Sequence, residues 1–253
     1  MTTQTLAPQT ATAQAGLPEP LLRAESLQAW YGRAHILTGV DLTVGRGEVV
    51  ALMGRNGAGK TTTLKAIMGL IEARSGRVTL DGRPIDRLPP HRIARLGVGY
   101  VPEDRRIFAD LTVEENLEVG RQPPRPGAPV WTPEKLFDLF PNLAALRGRR
   151  GTRMSGGEQQ MLTLARTLMG NPFLLLLDEP SEGLAPLIVR QMAEAVLRLK
   201  AEGLSVLVSE QNVGFAAAVA DRASVIEKGQ VRWSGPMADL MADESVRRAY
   251  LAL

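Results

Sequence analysis

A glycine-rich stretch that ends in a lysine and a threonine carries the clearest chemical signal in the chain. It consists of Gly54, Arg55, Asn56, Gly57, Ala58, Gly59, Lys60 and Thr61, and Thr62 follows directly. Glycines let successive backbone N–H groups turn toward one anion. Lys60 can then reach the outer phosphates of a nucleotide, and the Thr61 hydroxyl can bind Mg²⁺. The spacing predicts that residues 54–62 form a phosphate-binding loop.

The flanking residues place this loop between a strand and a helix. An apolar run, residues 49–53, precedes it, and Leu64, Ile67 and Ile71 follow at helical spacing. Strand, loop and helix in this order are the context that a phosphate-binding loop requires. The helix that begins near Lys60 would point the positive end of its dipole at the anion. The alternative, a glycine-rich turn with an exposed lysine, leaves these flanks unexplained.

Two consecutive acids end a second apolar run. Residues 173–177 suit a strand that is buried on both faces, and Asp178 and Glu179 follow it. Beside strand 49–53, this strand would bring both carboxylates to the carboxyl edge of the sheet, where α/β proteins bind ligands. Asp178 is predicted to hold Mg²⁺, and Glu179 to polarise an attacking water as general base. The alternative is a pair of acids that caps the next turn.

A serine and two glycines begin a helix later in the chain. Ser155 and Glu158 match a capping box, and Gly156 and Gly157 lie between them. Two glycines weaken a helix start, so capping alone does not explain them. They expose backbone N–H groups at a helix N-terminus, which predicts a second phosphate receptor. Since the chain has one nucleotide loop, we expect two chains to share each nucleotide.

Composition limits the possible partners. The net charge of +3 arises from 30 basic and 27 acidic residues that are mixed along the chain, and no long basic tract indicates a nucleic-acid partner. The absence of cysteine excludes disulfides and thiolate-bound metal. No apolar run approaches the roughly 20 residues that cross a bilayer, so any role at a membrane would depend on a partner. Residues 1–20 have the composition of a disordered tail.

Strands and helices alternate along most of the remaining chain. The patterns predict a hairpin over 77–85, strands at 97–101, 205–208 and 223–227, and helices at 186–202 and 212–220. This alternation predicts an α/β fold with a mostly parallel sheet covered on both faces. Residues 112–168 interrupt it with helix-start signals at Thr112 and Thr132–Pro133, which predict a helical insert.

In this order, the motifs resemble those of the ATP-binding subunits of ABC transporters over about residues 21–252. Gly54–Thr61 is similar to the Walker A motif, Leu174–Glu179 to Walker B, and Met154–Gln159 to the signature motif. In the signature, Met and Glu replace the usual first Leu and last Gln.

The resemblance implies a fold class, an activity and ligands. The fold would be an α/β P-loop cassette with a mostly parallel sheet, an antiparallel β subdomain and a helical subdomain at about 112–168. The activity would be ATP hydrolysis, with ATP and Mg²⁺ bound. Tyr31 lies where the family has an aromatic side chain that stacks on adenine.

Three positions depart from the family pattern. Glu103 replaces the glutamine of the Q-loop, Gln211 the switch histidine and Ala185 the D-loop aspartate. Glu103 can still bind Mg²⁺ or water. Gln211 can donate a hydrogen bond to the γ-phosphate but cannot carry a proton charge. The resemblance therefore implies a catalytic set of Glu179, Lys60 and Gln211.

Together with segments 102–108 and 111–117, these departures resemble the smaller ATPase of branched-chain amino acid importers. Urea and short-amide importers have similar subunits, so the solute stays open. The expected partners are transmembrane permease subunits, which would dock near Glu103 and the helical insert, a second ATPase subunit (an identical copy or a paralogue), and indirectly an extracytoplasmic solute-binding protein. The expected location is peripheral, on the cytoplasmic face of the inner membrane. The alternatives are a soluble ABC-type ATPase acting on nucleic acid and a nucleotide switch without turnover.

Overall fold

The computed structural model describes residues 19–251. The disordered tail predicted for residues 1–20 therefore lies outside the described residues, except for Glu19 and Pro20. The strands are β1 (Leu22–Tyr31), β2 (Ala34–Val44), β3 (Val49–Met53), β4 (Arg74–Leu80), β5 (Arg83–Pro84), β6 (Val98–Val101), β7 (Leu174–Asp178), β8 (Ser205–Glu210), β9 (Arg222–Glu227) and β10 (Gln230–Pro236). The helices are α1 (Lys60–Ile67), α2 (Pro90–Arg95), α3 (Val113–Gly120), α4 (Pro133–Leu139), α5 (Pro141–Ala144), α6 (Gly156–Leu168), α7 (Pro186–Ala201), α8 (Val213–Val219), α9 (Met237–Ala242) and α10 (Glu244–Val246), with a 3₁₀ turn at Gly151–Arg153 and a π turn at Arg247–Leu251.

The larger sheet has six strands in the order β10-β9-β3-β8-β7-β6. Strands β9, β3, β8, β7 and β6 are parallel, and β10 is an antiparallel edge strand. The expectation that the Asp178 strand lies beside the phosphate-loop strand is wrong. Strand β8 lies between them, with Ser209 opposite both Leu52 of β3 and Asp178 of β7. The carboxylates still reach the predicted edge, because all three strands run in the same direction.

The parallel strands are apolar throughout because both faces of the larger sheet are covered. Val49, Ala51 and Met53 of β3 face one hydrophobic core, and Val50 and Leu52 face the other. The first core includes the helices from α3 to α8, and the second includes α1 and the smaller sheet. Every residue of β3, β7 and β8 is buried, which makes these strands a rigid support for the residues at their ends.

The smaller sheet is antiparallel, with the order β2-β1-β4-β5. The predicted hairpin is confirmed, since β4 and β5 pair across a turn at Asp81 and Gly82. Both turn residues have positive φ, 50° and 71°, which matches the twist that a two-residue hairpin turn requires. Leu64, Ala66 and Ile67 of α1 belong to the core that this sheet covers.

Local capping explains where three helices of the 112–168 region begin. Thr112 and Glu115 form a capping box at α3, and the Thr132 hydroxyl accepts a hydrogen bond from Lys135 N at α4. Ser155 and Glu158 form a second capping box at α6. These three predicted helix starts are confirmed. The extent of a helical subdomain stays a prediction.

No helix within residues 19–251 is both long and apolar enough to cross a membrane.

Candidate functional site

Four parallel strands bring the predicted site residues to one edge of the larger sheet. The glycine-rich loop follows β3, and Gln211 follows β8. Asp178 ends β7, with Glu179 next, and Glu103 lies two residues beyond β6. Parallel strands end at the same edge, so local patterns far apart in sequence converge on one place.

The loop conformation depends on its glycines. Gly57 and Gly59 have φ of 78° and 113°, which L side chains rarely adopt. Gly54 is needed for a different reason, since a Cβ there would lie 2.5 Å from the backbone oxygen of Ile226 in β9. Helix α1 begins at Lys60, as the pattern predicts. The loop therefore presents backbone N–H groups next to a helix N-terminus, an arrangement suited to an anion.

The Lys60 side chain is only 3% exposed and points into the site. Its Nζ donates hydrogen bonds to the carbonyl oxygens of Gly54 at 2.9 Å and Arg55 at 3.2 Å. It also forms an ion pair with Glu179 Oε1 at 3.0 Å. The structure thus joins two predicted catalytic residues directly. A phosphate that reaches Lys60 would compete with Glu179 for the ammonium group.

Asp178 accepts three side-chain hydrogen bonds. Thr61 Oγ1 donates at 2.9 Å and Ser209 Oγ at 2.7 Å, both to Asp178 Oδ1, and the Tyr100 hydroxyl donates at 3.0 Å to Oδ2. Burial and the charge of Asp178 raise the pKa of Tyr100, which keeps its hydroxyl a neutral donor. These bonds fix the orientation of the carboxylate at the edge of the sheet.

Glu179 has an unusual backbone and an acidic neighbour. Its φ is 46°, and its N–H donates to the backbone oxygen of Ser209 at 3.0 Å. The Glu182 carboxyl is hydrogen bonded to that of Glu179. Burial raises the pKa of Glu179, but hydrogen bonds from Glu182 and Lys60 outweigh it and lower the pKa. The bond to Glu179, together with partial desolvation, raises the pKa of Glu182 to about 7.

The residues predicted to bind metal fit a hard cation only in part. The Thr61 hydroxyl and the Asp178 carboxylate are adjacent oxygen donors, the kind that Mg²⁺ prefers. Glu103 is exposed, and its charge contributes to the raised pKa of Glu182. Within residues 19–251, no group of three or more His, Cys, Asp or Glu side chains is placed to hold a metal. Phosphate and water oxygens would therefore have to complete the coordination of Mg²⁺.

The Ser155–Glu158 segment and Tyr31 lie apart from this cluster. Glu158 Oε2 accepts from Ser155 N at 2.7 Å, and Ser155 Oγ accepts from Glu158 N at 3.4 Å. No hydrogen bond or ion pair among the described residues joins this helix start to the glycine-rich loop. Tyr31 ends β1 of the smaller sheet and is 50% exposed. Ser155 is exposed as well, whereas residues 156–158 are half-buried.

Glycines at the start of α6 permit two close contacts. A Cβ at Gly156 would overlap the end of the Arg105 side chain, and one at Gly157 would lie 3.0 Å from Cγ2 of Ile188. Arg105 itself has a φ of 37°. The glycine pair therefore also accommodates neighbouring segments of its own chain, a structural use that the sequence analysis did not foresee.

Sequence reasoning missed four polar residues of this site. They are Tyr100, Glu182, Ser209 and Glu210, which contact predicted site residues or the turns that carry them. Three of them lie in β6 or at the end of β8, where a polar residue interrupts an otherwise apolar strand. That interruption at the carboxyl end of a buried strand was the available signal.

Comparison with known proteins defines the class. The family model described as ABC transporter matches residues 37–182. A solved nucleotide-free ATP-binding cassette from an ABC transporter superposes with a TM-score of 0.77 at 27% identity, covering 90% of this chain and 97% of that one. The ADP conformation of the cassette MJ1267 gives a TM-score of 0.77 at 28% identity and the same coverage. The chain belongs to the ABC transporter ATP-binding family, and it is an ATPase with the P-loop cassette fold.

The relatives of the chain include ATP-binding proteins of branched-chain amino acid transport and of lipopolysaccharide export. It is 42% identical to the high-affinity branched-chain amino acid transport ATP-binding protein BraG of Pseudomonas aeruginosa, over 91% of this chain and 99% of the relative. It is 36% identical to the probable protein LivF of Archaeoglobus fulgidus, over 92% and 99%. The lipopolysaccharide export system ATP-binding protein LptB of Haemophilus influenzae is 37% identical, over 91% and 97%.

Proposed function

We propose that this chain hydrolyses ATP to drive an importer of branched-chain amino acids. The assignment of ATP hydrolysis is supported by one observation. Lys60, Thr61, Asp178 and Glu179 converge at one edge of the larger sheet. The solute part rests on the 42% identity to BraG and the 36% identity to LivF. Both relatives match this chain over more than nine-tenths of its length.

The glycine-rich loop and Glu179 have different roles in ATP hydrolysis. Residues 54–62 bind the phosphates through backbone N–H groups and the dipole of α1. Lys60 exchanges its contact with Glu179 for an outer phosphate oxygen. Glu179, released from the ammonium group, polarises the attacking water as general base. Gln211, which has no titratable proton, donates a hydrogen bond to the γ-phosphate and orients it.

Mg²⁺ would be held by the Thr61 hydroxyl and the Asp178 carboxylate, with Glu103 as a further oxygen donor. When bound, this ion neutralises charge on the phosphates. Tyr100 and Ser209 keep the Asp178 carboxylate oriented toward Thr61. The orientation by these hydroxyls is what the chain itself contributes to the metal site.

A second ATPase subunit would complete each nucleotide site. Ser155, Gly156, Gly157 and Glu158 would meet the phosphates of ATP held by the loop of the partner, while Tyr31 stacks on the adenine of its own ATP. The exposure of Tyr31 and of Ser155 supports this arrangement. ATP that bridges only the closed pair supplies the differential affinity that drives the conformational change. The partner would be an identical copy or a paralogue.

The permease subunits would dock on a groove between α2, β6, α3 and α6. The groove has a volume of about 570 Å³ and is lined by Arg95, Arg125 and Arg166 as well as by apolar groups. Phe108 and Val119 are 48% and 53% exposed at its wall. Tyr100 lines the groove and also donates to Asp178, so a segment docked there would adjoin the nucleotide site. Its mixed basic and apolar lining suits a short helix that carries apolar and acidic side chains.

The location and the remaining partner follow from this assignment. The protein would be peripheral at the cytoplasmic face of the inner membrane, because it would be attached through the permease. An extracytoplasmic solute-binding protein would take part only indirectly. Nucleic acid is not among the proposed partners, because basic and acidic side chains are mixed along the chain.

Lipopolysaccharide export is a second candidate for the transport process. The observation that favours it is the 37% identity to LptB of Haemophilus influenzae. Urea and short amides are further solutes that the motif pattern leaves open.

Co-purification from membranes followed by reconstitution tests the proposal. The tagged chain, isolated from membranes of its source, should carry permease subunits with it. In proteoliposomes that contain those subunits and the external binding protein, ATP should drive uptake of labelled leucine, and labelled urea should not accumulate. Stimulation of ATP hydrolysis by lipopolysaccharide or by DNA, without leucine uptake, would contradict the importer assignment.

A further inference from the structure

A buried acid that the proposed mechanism does not use lies at the end of β8. Glu210 is only 2% exposed, and its carboxylate accepts hydrogen bonds from backbone N–H groups on both sides. Oε1 accepts from Ser181 N at 3.0 Å. Oε2 accepts from Gln211 N at 3.2 Å and from Asn212 N at 3.1 Å.

These donors belong to two different turns. Ser181 lies two residues after Glu179, in the turn that follows β7. Gln211 and Asn212 form the turn that follows β8. The Glu210 carboxylate therefore connects two turns. One follows Glu179, the proposed base, and the other contains Gln211, the proposed contact to the γ-phosphate. The hydrogen bond from Glu179 N to the backbone oxygen of Ser209 lies next to these contacts and joins the same two segments, the ends of β7 and β8.

Helix capping does not account for this acid. The N-terminus of α8 is already capped by Asn212, whose Oδ1 accepts from Phe215 N at 3.0 Å. Burial of a carboxylate is unfavourable, and it raises the pKa of Glu210 despite the hydrogen bonds from Ser181 and Asn212. No ion pair found within residues 19–251 includes Glu210. Residues 206–208 of β8 are apolar, whereas Ser209 and Glu210 at its end are polar and buried.

We propose that Glu210 is a positioning residue that holds Gln211 at a set distance from Glu179. It joins the two turns, so a phosphate that engages Gln211 also shifts residues 181–185, which follow the base. This inference rests on the proposed roles of Glu179 and Gln211. The new element is the route by which the γ-phosphate would shift residues 181–185. That route passes through the buried Glu210 carboxylate, which itself touches no substrate.

The first test compares Glu210→Gln with the matched control Glu202→Gln. Glu202 is an exposed acid at the end of α7, remote from the sheet edge. An amide has one acceptor oxygen and cannot accept on both sides. We expect kcat for ATP hydrolysis to fall about tenfold or more in Glu210→Gln, while the ATP dissociation constant stays within about twofold. The control should retain the parent values.

A double-mutant cycle separates positioning from a general structural role. If Glu210 acts through Gln211, the change Glu210→Gln should lower kcat much less when it is made in a Gln211→Ala background. An equal loss of kcat in both backgrounds would overturn the proposal. So would an unchanged kcat in Glu210→Gln together with a lowered melting temperature, since that pattern marks a structural role only.

Hydrogen exchange supplies a readout that does not need turnover. Glu210→Gln should speed amide exchange at Ser181 and at Gln211 and Asn212 together, whereas faster exchange at one turn alone would contradict the link. If Glu210→Gln does not fold, Glu210→Asp keeps the charge but shortens the reach, and the same exchange pattern is expected. A parent chain without ATPase activity would count against the proposed function, while the exchange result would still decide whether Glu210 joins the turns.

Discussion

The Lys60 ammonium lies 3.0 Å from a carboxylate oxygen of Glu179, and both side chains are buried. This ion pair joins the phosphate loop to the acid that follows β7. A buried ion pair is strongly disturbed when one partner is removed, because the other charge stays without compensation. The pair therefore holds the phosphate-binding group and the general base together. ATP would have to separate them before hydrolysis.

Replacing Glu179 with glutamine should abolish turnover but not ATP binding. The amide cannot accept the proton of the attacking water, so kcat is expected to fall by about 10²-fold or more. Removal of a negative charge beside the triphosphate and beside Lys60 should leave the ATP dissociation constant equal to or lower than that of the parent. Single-turnover hydrolysis and equilibrium nucleotide binding measure the two quantities. Turnover that survives the change would refute the assignment of the base.

Replacing Lys60 with alanine should weaken ATP binding. Charged hydrogen bonds contribute about 1.5–3 kcal/mol, so the dissociation constant is expected to rise about 10- to 100-fold. Lys65 is a matched control, because it lies on the same helix and makes no ion pair among residues 19–251. Lys65→Ala should bind ATP like the parent in the same calorimetric titration. Equal losses in the two variants would mean that Lys60 has no specific role in phosphate binding.

Replacing Tyr100 with phenylalanine should raise the Mg²⁺ requirement. The change removes the hydrogen bond to Asp178 Oδ2, which orients the carboxylate. Loss of such a supporting bond weakens metal sites by about tenfold or more, and it should lower the free energy of unfolding by about 1 kcal/mol. A Mg²⁺ titration of ATPase activity measures the shift, with Tyr250→Phe as control. An unchanged half-saturating Mg²⁺ concentration would exclude this role of Tyr100.

Replacing Glu182 with glutamine should reduce the pH dependence of stability between pH 4.5 and about 7. The hydrogen bond to Glu179, partial desolvation and the charges of Glu179 and Glu103 raise the pKa of Glu182 from 4.5 to about 7. A raised carboxyl pKa means that the folded chain binds this proton more tightly than the unfolded chain does. Its contribution to stability is therefore complete below pH 4.5 and lost as the pH rises to about 7. Glu179, whose pKa is lowered, titrates below this window.

Melting temperatures of the parent and of Glu182→Gln at about pH 5 and about pH 8 measure this effect. The parent should lose more stability than the variant between the two values. Glu202→Gln, which changes an exposed acid, should behave like the parent. The same loss in all three chains would show that Glu179 and Glu182 do not share a proton.

Replacing Gly54 with alanine should destabilise the fold. The new Cβ would lie 2.5 Å from the Ile226 backbone oxygen, so β3 and β9 would have to move apart. Overpacking of this kind is expected to lower the free energy of unfolding by about 1–3 kcal/mol. Gly148→Ala is the control, because no atom lies within 4 Å of its added Cβ. Chemical denaturation should show a change within about 0.5 kcal/mol for Gly148→Ala. Equal stability of both variants would contradict the close approach.

Local chemistry made much of this protein predictable from its sequence. The glycine spacing before Lys60 indicated the loop, and the capping pairs at Thr112 and Ser155 indicated two helix starts. These features depend on backbone geometry within a few residues, so the residue types alone specify them. The order of motifs also identified the family, because each motif has its own spacing.

The tertiary structure alone decided which distant residues meet. The strand pattern of 205–208 did not reveal that β8 separates β3 from β7. That strand order lets the Ser209 hydroxyl donate a hydrogen bond to Asp178, and it places Glu210 between two turns. The Lys60–Glu179 ion pair likewise depends on packing between segments more than 100 residues apart. Sequence patterns set local backbone conformation, whereas strand neighbours are chosen by the burial of both sheet faces, a property of the whole chain.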